Sequence, residues 1–205
     1  MNPQEEIWSG PKGDKYVKRF FWTPEQVDAH WLKHYSVVSR TQLVSEAIAE
    51  AIPRAASVLE IGCSCGNQLE ILKGMGFQNL AGTDINASAI GAIKSRRPYI
   101  KAQVASSDKL PFADKSFDMV MTCWTLCHMS NGNYAKAIKE IQRIARCWIF
   151  ASEPYSQGEC ELQPGYLWSR PVAADIGWKL LHHQFAQAVG GKWSTGIFLF
   201  ERPAQ

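Results

Sequence analysis

Apolar and polar residues recur at helical spacing in the first part of this chain. One apolar stripe comprises Val27, Trp31, Leu32 and Tyr35, and it follows the segment Thr23-Pro24-Glu25-Gln26. That segment supplies an N-cap, a first-turn proline and a glutamine three residues after the cap, which together open a helix. A second stripe comprises Leu43, Val44, Ala47, Ile48 and Ala51, and Pro53 ends it. The pattern therefore predicts two amphipathic helices before residue 56.

After residue 56 the pattern changes to short apolar runs that alternate with helical stretches. The predicted strands are residues 57–61, 80–84, 102–105, 117–122, 148–151, 179–187 and 195–201. The predicted helices are residues 67–73, 87–95 and 134–144. Such alternation predicts an α/β Rossmann-like sandwich, with a mostly parallel seven-stranded sheet and helices on both faces. Gly190-Gly191 between the last two strands predicts an antiparallel C-terminal hairpin.

Length and composition refine this expectation. A chain of 205 residues with 46% hydrophobic residues has enough apolar material for one α/β core. We expect a Rossmann-like catalytic domain over residues 56–205 and a helical lid over residues 1–55. The net charge is +3 and the basic residues are dispersed, which argues against a nucleic-acid or membrane surface.

Cellular location is predicted from segments that the sequence lacks. No apolar stretch has the length of a membrane span, and the first residues do not have the pattern of an export signal. The six cysteines have irregular spacing, which is typical of reduced proteins rather than disulfide frameworks. We therefore expect a cytoplasmic protein.

The run VLEIGCSCG, residues 58–66, indicates a cofactor site. In a parallel sheet the turn after the first strand usually holds the cofactor. A dinucleotide turn needs Gly-x-Gly-x-x-Gly, but Ser64 and Asn67 occupy the second and third glycine positions. Glu60 suits a ligand with a positive ammonium or sulfonium end, and Asp84 ends the next strand, where it can bind ribose hydroxyls. These signals indicate a nucleoside without phosphates.

Three segments, VLEIGCSCG, GTDIN and KLPFADKSFDMV, resemble those of class I S-adenosylmethionine-dependent methyltransferases. The resemblance covers about residues 57–151 and implies S-adenosyl-L-methionine as the cofactor. It places the turn from Gly62 through Cys63 to Gly66 at the methionine part and Asp84 at the ribose. It further implies cofactor contacts by Ile85 and Asn86 at the adenosine edge, by Ser106 and Ser107 at the adenine with Asp108 as a substitute, and by Cys123.

A narrower resemblance rests on IWSGPKGDKYVKRF and IFASEPYSQGECELQPGYLWSR. These segments are similar to small methyltransferases associated with pseudaminic-acid biosynthesis. The resemblance implies that Tyr16 and Arg19 close over the cofactor. It also implies a nonulosonic sugar, or its nucleotide-activated form, as the acceptor. Independently of the resemblance, we expect a small-molecule acceptor, because no added domain supplies a polymer-binding surface.

Methyl transfer is an in-line displacement, so positioning and a dry aromatic pocket are its main requirements. A base is needed where the acceptor is a hydroxyl or a protonated amine. We expect His128, beyond the fourth strand, to be that base, although a cofactor contact or a helix cap is the alternative. We also expect Glu153 and Tyr155 to follow the fifth strand and to face the same crevice at the carboxyl edge of the sheet. The alternative is that Glu-Pro-Tyr is a loop without a functional role. The candidate aromatic walls are Trp8, Tyr16, Trp22, Trp124 and Tyr155.

Other patterns have simpler explanations. His30 and His34 have metal-ligand spacing, but no third ligand accompanies them and a surface pair is favoured. The pairs Cys63/Cys65 and Cys123/Cys127 are favoured as small buried residues over a soft-metal site. Three functional alternatives stay open. One is an oxidoreductase, which the missing glycine argues against, and another is a non-catalytic S-adenosylmethionine-binding accessory module of a biosynthetic pathway. The third is a small-molecule O- or N-methyltransferase of secondary metabolism.

Overall fold

The structure, a computed structural model, describes residues 3–35, 38–187 and 194–204. Four helices precede the sheet: α1 (Pro3–Ser9), α2 (Pro11–Arg19), α3 (Pro24–His34) and α4 (Arg40–Ile48). Among the described residues, no helix is both long and apolar enough to span a bilayer. The two helices predicted before residue 56 correspond to α3 and α4, but α4 ends at Ile48, so Ala51 lies in the turn that follows it rather than in the helix. Helices α1 and α2 were not predicted, because they are short, polar and interrupted by Gly10, Pro11 and Gly13.

The start of α3 confirms the predicted capping signal. The side chain of Thr23 accepts a hydrogen bond from the backbone of Gln26, and the side chain of Gln26 accepts one from the backbone of Thr23. Of the predicted apolar stripe, Val27 and Trp31 are buried and Tyr35 is half-buried. The prediction was wrong for Leu32, whose side chain is exposed because the buried face of α3 is narrower than the apolar stripe.

Seven strands form the main sheet in the order β3-β2-β1-β4-β5-β9-β8. Their bounds are β1 (Ser57–Ile61), β2 (Asn79–Asp84), β3 (Lys101–Val104), β4 (Phe117–Cys123), β5 (Ala145–Tyr155), β8 (Lys179–Gln187) and β9 (Ser194–Glu201). The first five pair in parallel, and β9 runs antiparallel to both β5 and β8. The predicted fold class is therefore confirmed. The Gly190-Gly191 turn lies outside the described residues.

Helices cover both faces of this sheet. They are α5 (Asn67–Gly74), α6 (Ala87–Arg96), α7 (Asn131–Ile144) and the short α8 (Val172–Ile176). Neighbouring residues of one strand belong to opposite core clusters: Val58 packs with the cluster around α4, and Leu59 packs with the cluster around α7. Burial on both faces explains why apolar residues occupy consecutive positions in β1 (Val58, Leu59) and in β4 (residues 119–121) instead of alternating with polar ones.

A second, two-stranded sheet follows β5. It consists of β6 (Cys160–Gln163) and β7 (Leu167–Ser169), and the turn between them contains Gly165. This small sheet was not predicted, because β7 has only three residues and β6 is a mostly exposed stretch without an apolar run. Gln4 Nε2 of α1 donates to Gly165 O at 3.2 Å, so the turn contacts the N-terminal helices.

Strand order in the main sheet reverses at β1, which has β2 on one side and β4 on the other. The carboxyl ends of β1 and β4 therefore flank the crevice in which α/β sheets of this type bind ligands. The turn that follows β1 and the loop that follows β4 both reach that crevice.

Candidate active site

A cavity of about 640 Å³ lies beyond the carboxyl ends of β1, β2 and β4. Residues of α1, α2 and α3 line its other side, together with the turn between β6 and β7. This volume lies in the range of pockets that bury a small organic molecule. The cavity contains most of the predicted site residues, and its parts are described in turn below.

The glycine turn forms the floor of the cavity after β1. Gly62 and Gly66 have φ values of +67° and +75°, in the left-handed region that favours glycine. A Cβ added to Gly62 would lie 2.2 Å from Thr125 Cγ2. Gly62 is therefore required both by its backbone conformation and by the close approach of the loop after β4. Ser64 also lies in the left-handed region, at φ +45°.

Asp84 connects this turn to the end of β2. Its Oδ2 accepts the backbone N–H of Ser64 at 2.8 Å, and its Oδ1 accepts that of Asn86 at 2.8 Å. Burial raises the pKa of Asp84, and these backbone hydrogen bonds oppose the rise. Asp84 lines the cavity, and each oxygen keeps acceptor capacity for a ligand hydroxyl.

Glu60 is a buried acid in the cavity wall. Its exposed fraction is 2%, and Oε2 has no hydrogen-bond partner among the residues that the structure describes. Burial raises the pKa of Glu60 well above its ordinary value, while Arg40 acts in the opposite direction. A buried acceptor without a donor is costly to leave unpaired, so this oxygen fits a ligand that carries an ammonium group.

The residues expected at the adenosine part also line the cavity, namely Ile85, Asn86, Ser106, Ser107 and Asp108. Ser106 Oγ lies 2.7 Å from Asp108 Oδ1 and 2.9 Å from Glu5 Oε1. The side chain of Asn86 is already engaged, because Oδ1 caps α6 at Ala89 N and Nδ2 donates to Trp8 O at 2.9 Å. Asn86 therefore joins α6 to the N-terminal helices.

Backbone carbonyls of the N-terminal helices accept further bonds from the Rossmann-like part of the chain. Cys65 Sγ donates to Val17 O at 3.4 Å, and Asn67 Nδ2 donates to Phe20 O at 2.7 Å. Tyr16 and Arg19, predicted to close over the cofactor, lie in this segment and line the cavity. Cys63 and Cys123 line the cavity as well, so the structure brings together every predicted cofactor residue except Gly66, which lies at the start of α5.

His128 ends a short 3₁₀ helix (Leu126–His128) and lines the cavity. Its Nδ1 lies 3.1 Å from Tyr166 O. A carbonyl oxygen only accepts, so Nδ1 carries the proton and Nε2 has the free lone pair. The ring also contacts Trp8, at 4.7 Å between centroids, and burial lowers the pKa of His128 to about 4. His128 is therefore neutral at physiological pH.

The prediction that Glu153 and Tyr155 face the crevice was wrong, since neither lines the cavity. Strand β5 continues through both residues, and they pair with β9 instead of forming a loop. Glu153 is 1% exposed and accepts hydrogen bonds from Thr122 Oγ1 and from the backbone N–H groups of residues 125, 126 and 127. The ring of Tyr155 packs 5.2 Å from those of Phe185 and Phe198.

Aromatic side chains make up much of the cavity wall. Four of the predicted walls line it, namely Trp8, Tyr16, Trp22 and Trp124, whereas Tyr155 does not. Sequence reasoning missed Phe20, Trp31, Tyr35 and the buried cation Arg40, which line it as well. The i, i+4 spacing of Trp31 and Tyr35 was an available signal, but it was assigned to core packing.

The histidine and cysteine pairs have different surroundings. The rings of His30 and His34 lie 4.6 Å apart, and His30 lines the cavity, so the pair is only partly at the surface. Cys63, Cys65 and Cys127 are buried, and all six thiols are free. Among the described residues, no group of three or more potential metal ligands occurs.

Residues 59–147 match a protein-family model described as a methyltransferase domain. Over 122 residues the chain is 27% identical to a probable S-adenosylmethionine-dependent methyltransferase of Mycobacterium tuberculosis. This match covers 58% of this chain and 40% of that protein. Over 148 residues it is 29% identical to 2-methyl-6-phytyl-1,4-hydroquinone methyltransferase of Synechocystis, covering 69% of this chain and 45% of that protein. The chain thus spans less than half the length of these curated relatives.

Solved structures give the same fold. An S-adenosylmethionine-dependent methyltransferase structure of Methanosarcina mazei superposes with a TM-score of 0.61 at 17% identity, covering 77% of this chain and 97% of that one. At this identity the likeness concerns the fold alone. Residues 59–147 thus match a methyltransferase domain, and the fold of the chain is that of solved S-adenosylmethionine-dependent methyltransferase structures.

Proposed function

We propose that this chain transfers a methyl group from S-adenosyl-L-methionine to a small-molecule acceptor. One observation carries the proposal: the glycine turn, the unpartnered oxygen of Glu60 and the carboxylate of Asp84 all border one cavity. These groups suit the amino-acid tail and the ribose of that cofactor. A diphosphate would instead place negative charge beside both acids.

When bound, the cofactor supplies an electrophilic methyl group on a sulfonium centre. Glu60 and the turn from Gly62 to Gly66 would hold its tail, and Asp84 would hold its ribose. The aromatic walls exclude water and attract the positive charge. Nε2 of His128 can accept a proton from an acceptor hydroxyl or ammonium, although its low pKa makes it a weak base. Positioning therefore carries most of the rate enhancement.

The proposed lid is the helical segment over residues 1–55. Its α1 and α2 lie across the cavity, with Trp8, Tyr16 and Arg19 in the wall. Tyr16 and Arg19 would close over the bound cofactor. Enclosure of this kind favours a small acceptor over a polymer, and a nonulosonic sugar or its nucleotide-activated form stays among the acceptors to be tested. The Synechocystis relative is named for a hydroquinone ring, so ring compounds belong in the same panel.

Thermal melting tests the cofactor assignment. S-adenosylhomocysteine at 100 times its dissociation constant should add about 2.7 kcal/mol of stability, which corresponds to a shift of about 5–10 °C for a chain of this size. Asp84→Asn should lose most of this shift, whereas Asp114→Asn, at an exposed residue outside the cavity, should keep it. Stabilisation by NAD alone would contradict the proposal and favour an oxidoreductase.

Transfer itself is tested with S-adenosylmethionine labelled in the methyl group and a panel of sugar acids, nucleotide sugars, phenols and small amines. Label in an acceptor supports a methyltransferase. Tight binding of the donor with no transfer across the panel would instead support the accessory-module alternative.

A further inference from the structure

One end of the cavity is a cluster of five rings, of which three belong to residues that the cofactor assignment does not use. We call it the aromatic subsite, and it consists of Trp22, His30, Trp31, Tyr35 and Trp124. Ring centroids lie 4.7 Å apart for Trp22 and His30, 4.9 Å for Trp31 and Tyr35, and 5.3 Å for Tyr35 and Trp124. All five residues line the cavity. The subsite therefore offers ring faces on which a planar or cyclic ligand can stack.

Backbone strain fixes one wall of this subsite. Trp124 has φ +53°, a left-handed conformation that is unfavourable for a bulky residue. Its backbone N–H donates to Ser152 O at 2.9 Å, which holds the strained residue at the end of β4. Strain of this kind persists where the surrounding structure enforces it, and it is commonly found at binding sites.

Arg40 lies at the base of the aromatic subsite, 5.1 Å from the ring of Trp31, and its exposed fraction is 1%. Nε donates to Gln68 Oε1 at 2.9 Å, Nη1 to Ser152 Oγ at 2.7 Å and Nη2 to Cys123 Sγ at 3.0 Å. These bonds use three of its five N–H groups. The contact with sulfur is a weak one that a stronger acceptor can replace.

None of these acceptors balances the charge of Arg40. Burial raises the pKa of the Cys123 thiol, so it stays neutral. Within residues 3–35, 38–187 and 194–204, no carboxylate lies within 4.0 Å of the guanidinium nitrogens of Arg40. Glu60 is near enough to interact electrostatically, but neither of its oxygens lies within 4.0 Å of the guanidinium, and the proposed function assigns its carboxylate to the ammonium group of the cofactor. A buried, uncompensated cation is costly, so the cavity is suited to a ligand that brings an anion.

We propose that Arg40 binds a carboxylate of the methyl acceptor, and that the aromatic subsite holds a ring of the same molecule. This inference rests on the proposed methyltransferase function and narrows its substrate class to small ring compounds bearing a carboxylate. Aromatic acids fit this description, and so do sugar acids, because the apolar face of a sugar ring also stacks on aromatic side chains. Arginine matches a carboxylate with two parallel hydrogen bonds, for which its unused N–H groups are available.

Melting of the wild-type protein saturated with S-adenosylhomocysteine tests the proposal. Matched probes keep the ring and remove the negative charge: 4-hydroxybenzoate is compared with 4-hydroxybenzamide, and N-acetylneuraminate with its methyl ester. We expect each carboxylate to raise the melting temperature further. Its neutral partner should need at least a tenfold higher concentration to give the same shift. Equal effects within each pair, or no effect of any probe, would overturn the inference.

Two variants assign the effect to the site. Arg40→Gln should weaken carboxylate binding at least tenfold, whereas Arg54→Gln, at an exposed arginine outside the cavity, should not change it. If Arg40→Gln does not fold, Tyr35→Leu provides a second test, because removal of a subsite ring should weaken both members of a pair and preserve their difference. Carboxylate binding that Tyr35→Leu leaves unchanged would place the ligand elsewhere.

The methionine tail of the cofactor also carries a carboxylate, and a separate comparison distinguishes it. 5′-Methylthioadenosine lacks this tail, whereas S-adenosylhomocysteine has it. If Arg40→Gln weakens the binding of S-adenosylhomocysteine but not that of 5′-methylthioadenosine, Arg40 binds the carboxylate of the cofactor. The acceptor assignment is then wrong. If the wild-type protein binds neither nucleoside, the proposed function fails before this inference is reached.

Discussion

The carboxylate of Glu153 accepts the backbone N–H of Thr125 at 3.0 Å, across the gap between β5 and the loop after β4. Its two oxygens also accept the N–H groups of Leu126 and Cys127. A single buried acid thus fixes the loop that carries Trp124 and His128 into the cavity. Glu153 is a positioning residue rather than one that touches the ligand.

Replacement of Glu153 by glutamine should therefore loosen this loop. The amide oxygen can keep the bonds that Oε1 accepts, but the NH₂ group then faces the backbone N–H of Cys127, which leaves this buried donor unpaired. We expect the free energy of unfolding to fall by about 1–3 kcal/mol, measured by urea denaturation. Glu46→Gln, at an exposed glutamate, should change it by no more than about 0.5 kcal/mol. Wild-type stability in Glu153→Gln would contradict the assigned role.

The glycine turn gives a prediction with an internal control. Gly62→Ala would place a methyl group against Thr125 in a left-handed backbone, so we expect a loss of about 2 kcal/mol or more and weaker binding of S-adenosylhomocysteine. Gly91 lies inside α6 with open space where a Cβ would stand. Gly91→Ala should therefore stabilise the protein by about 0.5–1 kcal/mol. Equal effects of the two substitutions would refute the argument.

Local signals explain how much of the molecule could be predicted from sequence. The capping box at Thr23, the glycines at 62 and 66 and the apolar runs of β1 and β4 each encode one element locally, and the structure has all of them. Arg40 was missed because its burial depends on partners such as Ser152, 112 residues away. Glu153 was misplaced for a related reason: pairing with β9 extends β5 past Pro154, which the local sequence Glu-Pro-Tyr does not indicate.

Proton release on binding is expected from Glu60. In the free protein burial raises the pKa of Glu60 well above its ordinary value. Its carboxyl group is therefore protonated at pH values below this raised pKa. A ligand ammonium nearby favours the ionised form, so binding releases a proton and the affinity for S-adenosylhomocysteine should increase as pH rises toward that pKa.

Calorimetry in buffers of different ionisation enthalpy measures this proton. Glu60→Gln should abolish the release, and 5′-methylthioadenosine, which has no ammonium group, should release none from the wild-type protein. Release that persists in Glu60→Gln would show that another group is responsible.

His128 should make the protein sensitive to acid. Its pKa is about 4 in the folded protein, where burial disfavours the charged ring, and about 6.5 in the unfolded chain. The unfolded chain therefore binds the proton more tightly, and stability falls as pH decreases from about 6.5 toward 4. Between pH 7 and pH 5 this linkage amounts to on the order of 2 kcal/mol.

Urea denaturation at both pH values isolates the contribution of His128. The glutamine side chain in His128→Gln does not titrate, so the loss of stability between pH 7 and pH 5 should be smaller than in the wild-type protein by on the order of 2 kcal/mol. Burial also lowers the pKa values of His30 and His182. Both residues are present in the variant and in the wild-type protein, so their contributions to the pH dependence of stability cancel in the comparison. His183→Gln, at an exposed histidine, should keep the wild-type pH dependence. Identical pH dependence in His128→Gln and the wild-type protein would mean that the His128 ring is open to solvent rather than enclosed by Trp8 and Tyr166.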